Sequence, residues 1–166
     1  APRGVLRVVP NAARPMPAAA SGRLELADWL ADPKNPLTAR VYVNRVWAHL
    51  FGRGLVTTPD DFGVNGAKPT HPELLDHLAT RFVVHGWSTK KLVRELVLSR
   101  TYRLTTDAGG AGVAADPDNT LYWRMAPRRL EAEAFRDAIL AVSGTLDPTP
   151  PTDGPLAKVN PSRSAE

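Results

Sequence analysis

The sequence predicts an all-α fold, about five helices in an irregular orthogonal bundle with long loops. Three observations carry this. Apolar residues recur at helical spacing, most cleanly as Leu74, Leu75, Leu78, Ala79, Phe82 and Val83. Glycines stand where such runs stop, at Gly52, Gly86 and Gly144. Only Leu121–Met125 offers a short extended candidate, so the chain lacks material for a sheet.

The elements follow in order. Ser21 is placed to cap a short helix ending at Leu30, which Asp32-Pro33 closes. Asn35 is the next N-cap and Pro36 suits the first helical position, giving a helix from Pro36 to about Leu50. Its apolar residues Val41, Val43, Val46, Trp47, Leu50 and Phe51 occupy more than one face, which predicts a central helix. Residues 53–70 form a long loop. Thr70-x-x-Glu73 has capping-box spacing with Pro72 in the first turn, opening the helix that Gly86 ends. Ser88 caps the following helix, and Trp87 is placed to staple onto Leu92. Residues 105–119 are a Gly/Ala/Asp loop. The last helix runs from near Pro127 to Val142, with Leu130, Ala134, Phe135, Ala138, Ile139 and Val142 inward.

At 166 residues and 43% apolar content, the chain is one domain in size and its middle should fold. Pro2, Pro10, Pro15 and Pro17 mark residues 1–20 as an extended linker, and Pro148, Pro150, Pro151, Pro155 and Pro161 mark 147–166 as a disordered tail. The helical domain is assigned to 21–146. The absence of cysteine excludes disulfides and thiolate chemistry. No apolar run approaches the ~20 residues of a membrane span. The net charge of +4 is local: Lys90, Lys91, Arg94, Arg100 and Arg103 face only Glu95 between 88 and 103.

Many unusual residues then fall in one order. They include Arg23-Leu24-Glu25-Leu26-Ala27, Asn35-Pro36-Leu37-Thr38-Ala39-Arg40 and Val43-Asn44-Arg45-Val46-Trp47 with His49. Phe51-Gly52-Arg53-Gly54-Leu55-Val56, Asp61-Phe62-Gly63 and His71-Pro72-Glu73-Leu74-Leu75-Asp76 follow. Gly86-Trp87-Ser88, Thr101-Tyr102-Arg103 and Arg128-Arg129-Leu130-Glu131-Ala132-Glu133 with Arg136-Asp137 complete them. Over roughly residues 20–146 the chain resembles the planctomycete-type domain of unknown function 1553, planctomycete secreted domain 1. The resemblance implies an exported, periplasmic or surface multidomain parent, often carrying a cytochrome c domain whose haem c lies outside this chain. It implies partners among the parent's other domains, with secreted sulfatase-like neighbours or polysaccharide beyond them. It implies no reaction. The chain lacks C-x-x-C-H, so it attaches no haem. Set against the family, it looks truncated on its C-terminal side, and Ala126-Pro127 replaces the usual polar residue before the arginine pair.

Charged and polar residues on an apolar helix are costly unless partnered. Arg40, Asn44, Trp47 and Phe51 share one face of the central helix, and Arg45 and His49 another. Glu131, Glu133 and Asp137 are the carboxylates of the last helix. The expectation is an ion-pair network of Arg45, Arg53, Arg129, Glu131, Glu133, Arg136 and Asp137 that joins the two helices, in a non-catalytic structural or interaction module. Asn44, His49, Asp61 and His71 complete the candidate set. The alternative is a sulfated-polysaccharide site, since guanidinium binds sulfate and carboxylate bidentately. It would need Asp60, Asp61 or His71 beside Arg53 and a tryptophan. Glu73 and Asp60-Asp61 are better explained as helix and turn caps than as a catalytic pair. His71, His77 and His85 lack metal-ligand spacing. A second alternative is nucleic acid on helix 88–103. It is disfavoured because any two helices joined by a glycine turn look alike.

The central helix carries apolar residues on more sides than two neighbouring helices cover. Exposed apolar surface is therefore expected near Val43 and Trp47, or on the last helix around Phe135 and Ile139.

Overall fold

The computed structural model describes residues 4, 5, 9 and 21–149. The expected linker and tail fall outside these, save for residues 4, 5, 9 and 147–149. Among the described residues there are six helices and no strand: α1 Arg23–Leu30, α2 Thr38–Phe51, α3 Pro72–Val84, α4 Thr89–Val97, α5 Ala111–Ala115 and α6 Ala132–Val142. The all-α expectation holds. The chain divides into two compact units, Ala1–Pro127 and Arg128–Glu166, so the division falls inside the stretch 21–146.

In the first unit α2, α3 and α4 pack pairwise. The core is built from Val43, Trp47 and Phe51 of α2, Leu75, Leu78 and Phe82 of α3, and Leu92 and Leu96 of α4. Leu55 and Val56 from the loop after α2 join it, fully buried. Burying each such side chain contributes about 1.5–3 kcal/mol. Trp47 stacks on Phe51 at 4.0 Å, and Tyr122 meets both rings edge-on. Val43 and Trp47 are thus covered, 0% and 4% exposed. The patch expected near Val43 and Trp47 is therefore closed, because a loop and Tyr122 complete what two helices leave open.

Several boundaries differ from those the sequence predicts. Ser21 accepts from the Arg23 N–H at 3.4 Å, but Gly22, with φ 77°, holds the N-cap of α1. Asn35 does cap, through Oδ1 to the N–H groups of Leu37 and Thr38, yet regular helix begins only at Thr38. The same side chain donates to the Trp29 carbonyl, tying α1 to the start of α2. The capping box at Thr70 does not form. Both the hydroxyl and the N–H of Thr70 donate to the Leu55 carbonyl, and His71 occupies the N-cap of α3 without a side-chain cap bond. Ser88 caps α4 as expected, accepting from the Lys91 N–H. Trp87 packs edge-on against Phe82 and sits at φ 59°, a region costly for a bulky residue.

Helix α5 was not legible in the 105–119 loop. It has no apolar period of its own and rests on Trp123, whose ring lies so close to Gly112 that a Cβ there would stand 2.6 Å from it. The expected extended segment at 121–125 is instead a turn. Asp116 takes the N–H groups of Thr120 and Leu121, and Asn119 takes the N–H of Arg124, so side chains satisfy what a strand ladder would need. Helix α6 starts at Ala132, after an extended Glu131, rather than near Pro127. The fixed φ of proline suits an extended chain as well as a helix start.

Arg40 of α2 reaches Asp76 of α3 at 2.5 Å and also donates to the Pro36 carbonyl. The hydrogen bond from Arg40 holds the Asp76 carboxyl below its ordinary value of 3.8. A depressed folded value means that this stabilisation is present above about pH 4 and lost as pH falls further. Both side chains are substantially exposed, so the pair contributes at most about 1 kcal/mol. The melting temperature of the Asp76→Asn variant should therefore lie slightly below that of the parent near neutral pH. The gap should close as melts are taken down toward about pH 2.5; a gap independent of pH would remove Asp76 from this role.

Candidate functional site

The central segment is organised by Asn44, which is wholly buried in α2. Its Oδ1 accepts from the Val56 N–H at 2.8 Å and its Nδ2 donates to the Val56 carbonyl at 2.9 Å. One amide side chain thus replaces a strand partner for a buried backbone residue. The chain can approach this closely because residue 54 is glycine: a Cβ there would lie 2.5 Å from the Val56 oxygen and 2.9 Å from either Asn44 amide atom. Gly52, at φ 83°, turns the chain out of α2 into this clamp. The motif around Asn44, Gly52 and Gly54 is a backbone device.

Arg53 lies within the clamped loop. Its carbonyl accepts from the buried Tyr122 hydroxyl at 3.0 Å, and its guanidinium donates to the Asp118 carbonyl at 3.4 Å. Tyr122 has φ 53°, and burial pushes its hydroxyl above the ordinary value. Asp116 is held low, first by the Leu121 N–H and further by Thr120 and the charge of Arg53. The His71 ring packs 5.8 Å from Tyr122, and its Nδ1 lies 2.9 Å from the Thr70 hydroxyl. Arg53, His71 and Tyr122 are therefore brought together, with Tyr122 and Asp116 as participants that sequence inspection missed. The signal available was Asp116-Pro117-Asp118-Asn119, a run of turn-capping residues.

Asp61 is a loop organiser. Its Oδ1 accepts from the Gly63 N–H at 2.8 Å, and its carbonyl accepts from the Thr58 hydroxyl at 2.7 Å. A Cβ at Gly66 would collide with that carbonyl. Arg45 projects from the exposed side of α2 and pairs with Asp60 at 2.8 Å. A shallow cleft of about 490 Å³ lies here, lined by Arg45, Ala48, His49, Pro59 and Asp60. Neither Asp61, His71, Arg53 nor a tryptophan lines it. Among the described residues no three His, Asp or Glu side chains are grouped closely enough to hold a metal ion.

In the second unit, Arg136 pairs with the adjacent Asp137 at 3.3 Å. Arg129, Glu131 and Glu133 are exposed, Glu133 lying in the first turn of α6 where a negative charge suits the helix dipole. Within the first unit Arg45 pairs with the Asp60 carboxylate and Arg53 donates to the Asp118 backbone carbonyl, and within the second Arg136 pairs with Asp137 of its own helix. Phe135, Ile139 and Val142 of α6, with Leu130 just before it, are all more than half exposed and line an apolar hollow of about 500 Å³. The exposed apolar surface expected around Phe135 and Ile139 is present.

No curated protein and no solved structure matches this chain. The family described as PSD1, protein of unknown function (DUF1553), matches residues 22–165, extending past Leu146 where the residue-by-residue resemblance ends. A match over that much of the chain makes this protein a member of the PSD1 (DUF1553) family.

Proposed function

We propose that the chain is a non-catalytic interaction module of a larger exported protein, and that α6 contacts another domain of that parent. The observation that supports this best is the apolar face of α6, where Phe135, Ile139 and Val142 stand exposed beside Leu130 of the preceding segment and no residue of the helix is buried. Exposed apolar groups gathered on one short helix mark a contact surface. The polar motif residues point the same way, since Asn44, Arg53, Asp61 and His71 are each engaged with their own loops.

The test uses the double variant Phe135→Glu/Ile139→Glu. A neighbouring domain of the parent, produced separately, should bind the intact chain, and the variant should bind at least about tenfold more weakly, as loss of a buried aromatic anchor produces. Equal binding by both, or binding by neither, would overturn the proposal. So would release of sugar or sulfate from a sulfated polysaccharide by the purified chain. That outcome would favour the cleft at Arg45, His49 and Asp60.

A further inference from the structure

Outside the candidate site, the most sharply two-sided element is α4. Leu92 and Leu96 are buried against α2 and α3. At 3.6 residues per turn, Lys90, Lys91, Arg94 and Leu98 fall within an arc of about 100° on the opposite side. All four are exposed, Leu98 by 60%. The face is firmly mounted: Ser88 caps the helix, and Thr89 shares a 2.7 Å hydrogen bond with Tyr42 of α2.

Four cations elsewhere are neutralised by partners, whereas those of α4 stand together without one among the described residues. Arg40, Arg45, Arg81 and Arg136 each have a carboxylate partner. Among the described residues, Lys90, Lys91, Arg94 and Arg100 have none. Glu95, the acid of this stretch, is taken by Arg81 at 2.9 Å. Lys90 and Lys91 also sit in the first turn, where the helix dipole adds to their positive potential. An uncompensated positive surface suits an anionic partner.

We propose that this outward face of α4 docks on the surface of an anionic lipid bilayer. Leu98 decides between polyanions. A leucine amid three cations has no function against a sugar or phosphodiester backbone, but it can enter the headgroup–acyl boundary while the cations meet lipid phosphates. Stacking on bases would call for exposed aromatic rings, and the aromatic residues flanking this face, Trp87 and Tyr102, are half-buried against Phe82 and Phe51. No helix among the described residues is long and apolar enough to cross a membrane, so the contact is peripheral.

The experiment is co-sedimentation of the full chain with phosphatidylcholine vesicles, with and without phosphatidylglycerol. Heparin and a duplex oligonucleotide serve as competing polyanions. Binding should require phosphatidylglycerol and weaken with salt. At roughly fivefold per cation, the variant Lys90→Ala/Lys91→Ala/Arg94→Ala should bind roughly a hundredfold more weakly. Leu98→Ala should lose about tenfold on vesicles, from the lost methylene burial, while its retention on heparin stays unchanged. These positions are exposed, so each variant should fold, and circular dichroism of each checks it. Equal binding to neutral and anionic vesicles would overturn the proposal, as would unaltered binding by the triple variant. A Leu98→Ala variant unchanged on vesicles, or tighter binding to heparin or duplex than to anionic vesicles, would make the surface a general polyanion contact and overturn it equally.

Discussion

Replacing Asn44 by alanine should destabilise the first unit by about 3–5 kcal/mol, a large share of the stability of such a domain. The side chain is 0% exposed and makes two hydrogen bonds to the backbone of Val56, itself 2% exposed. Its removal strands a buried N–H and a buried carbonyl, each costing about 1–3 kcal/mol, and leaves a hole beside Gly54 and Val56. In a domain of this size the melting temperature should drop by about 10–20 °C. Thermal and urea melts followed by circular dichroism measure it. A loss below about 1 kcal/mol would mean that water or a shifted loop satisfies Val56, and that the clamp is not what holds residues 53–57.

Gly54→Ala should cost nearly as much, about 3 kcal/mol, by a different route. The new methyl meets a backbone oxygen at 2.5 Å, and backbone cannot swing aside as a long side chain does. Moving the Val56 carbonyl away breaks the bond from Asn44 Nδ2. The two substitutions act on one device, so the double variant should be less destabilised than the sum of the singles, by about 1 kcal/mol or more. Full additivity in the same denaturant melts would show that the glycine and the asparagine are independent.

Much of the fold was legible because its causes are local. The α3 run from Leu74 to Val83, the Gly52 stop and the Ser88 cap depend on residues within one or two turns of each other, so spacing alone exposes them. The Thr70 capping box failed because a tertiary partner, the Leu55 carbonyl, claims the hydroxyl that the local motif would use. Helix α5 stayed hidden because its support is Trp123, across the loop, rather than its own periodicity. The site was legible only as a set of unusual residues. Asn44 and Arg45 stood out as polar groups on an apolar helix and Arg53 as a cation just past its glycine stop, but their partners Val56, Asp60 and Asp118 lie on loops, where no period announces contact.

By itself the sequence determined that this is an all-α chain of the PSD1 family, with capped helices, glycine stops and one basic stretch at 88–103. These follow from propensity, hydrophobic period and composition, which are properties of neighbouring residues. Tertiary structure alone decided which apolar faces close and which stay open. Val43 and Trp47 vanish beneath a loop and a tyrosine from distant parts of the chain, while Phe135 and Ile139 remain exposed on α6. A helix face records only that it is apolar; what covers it depends on segments far away in sequence, whose meeting is fixed by packing and by buried hydrogen bonds such as those of Asn44.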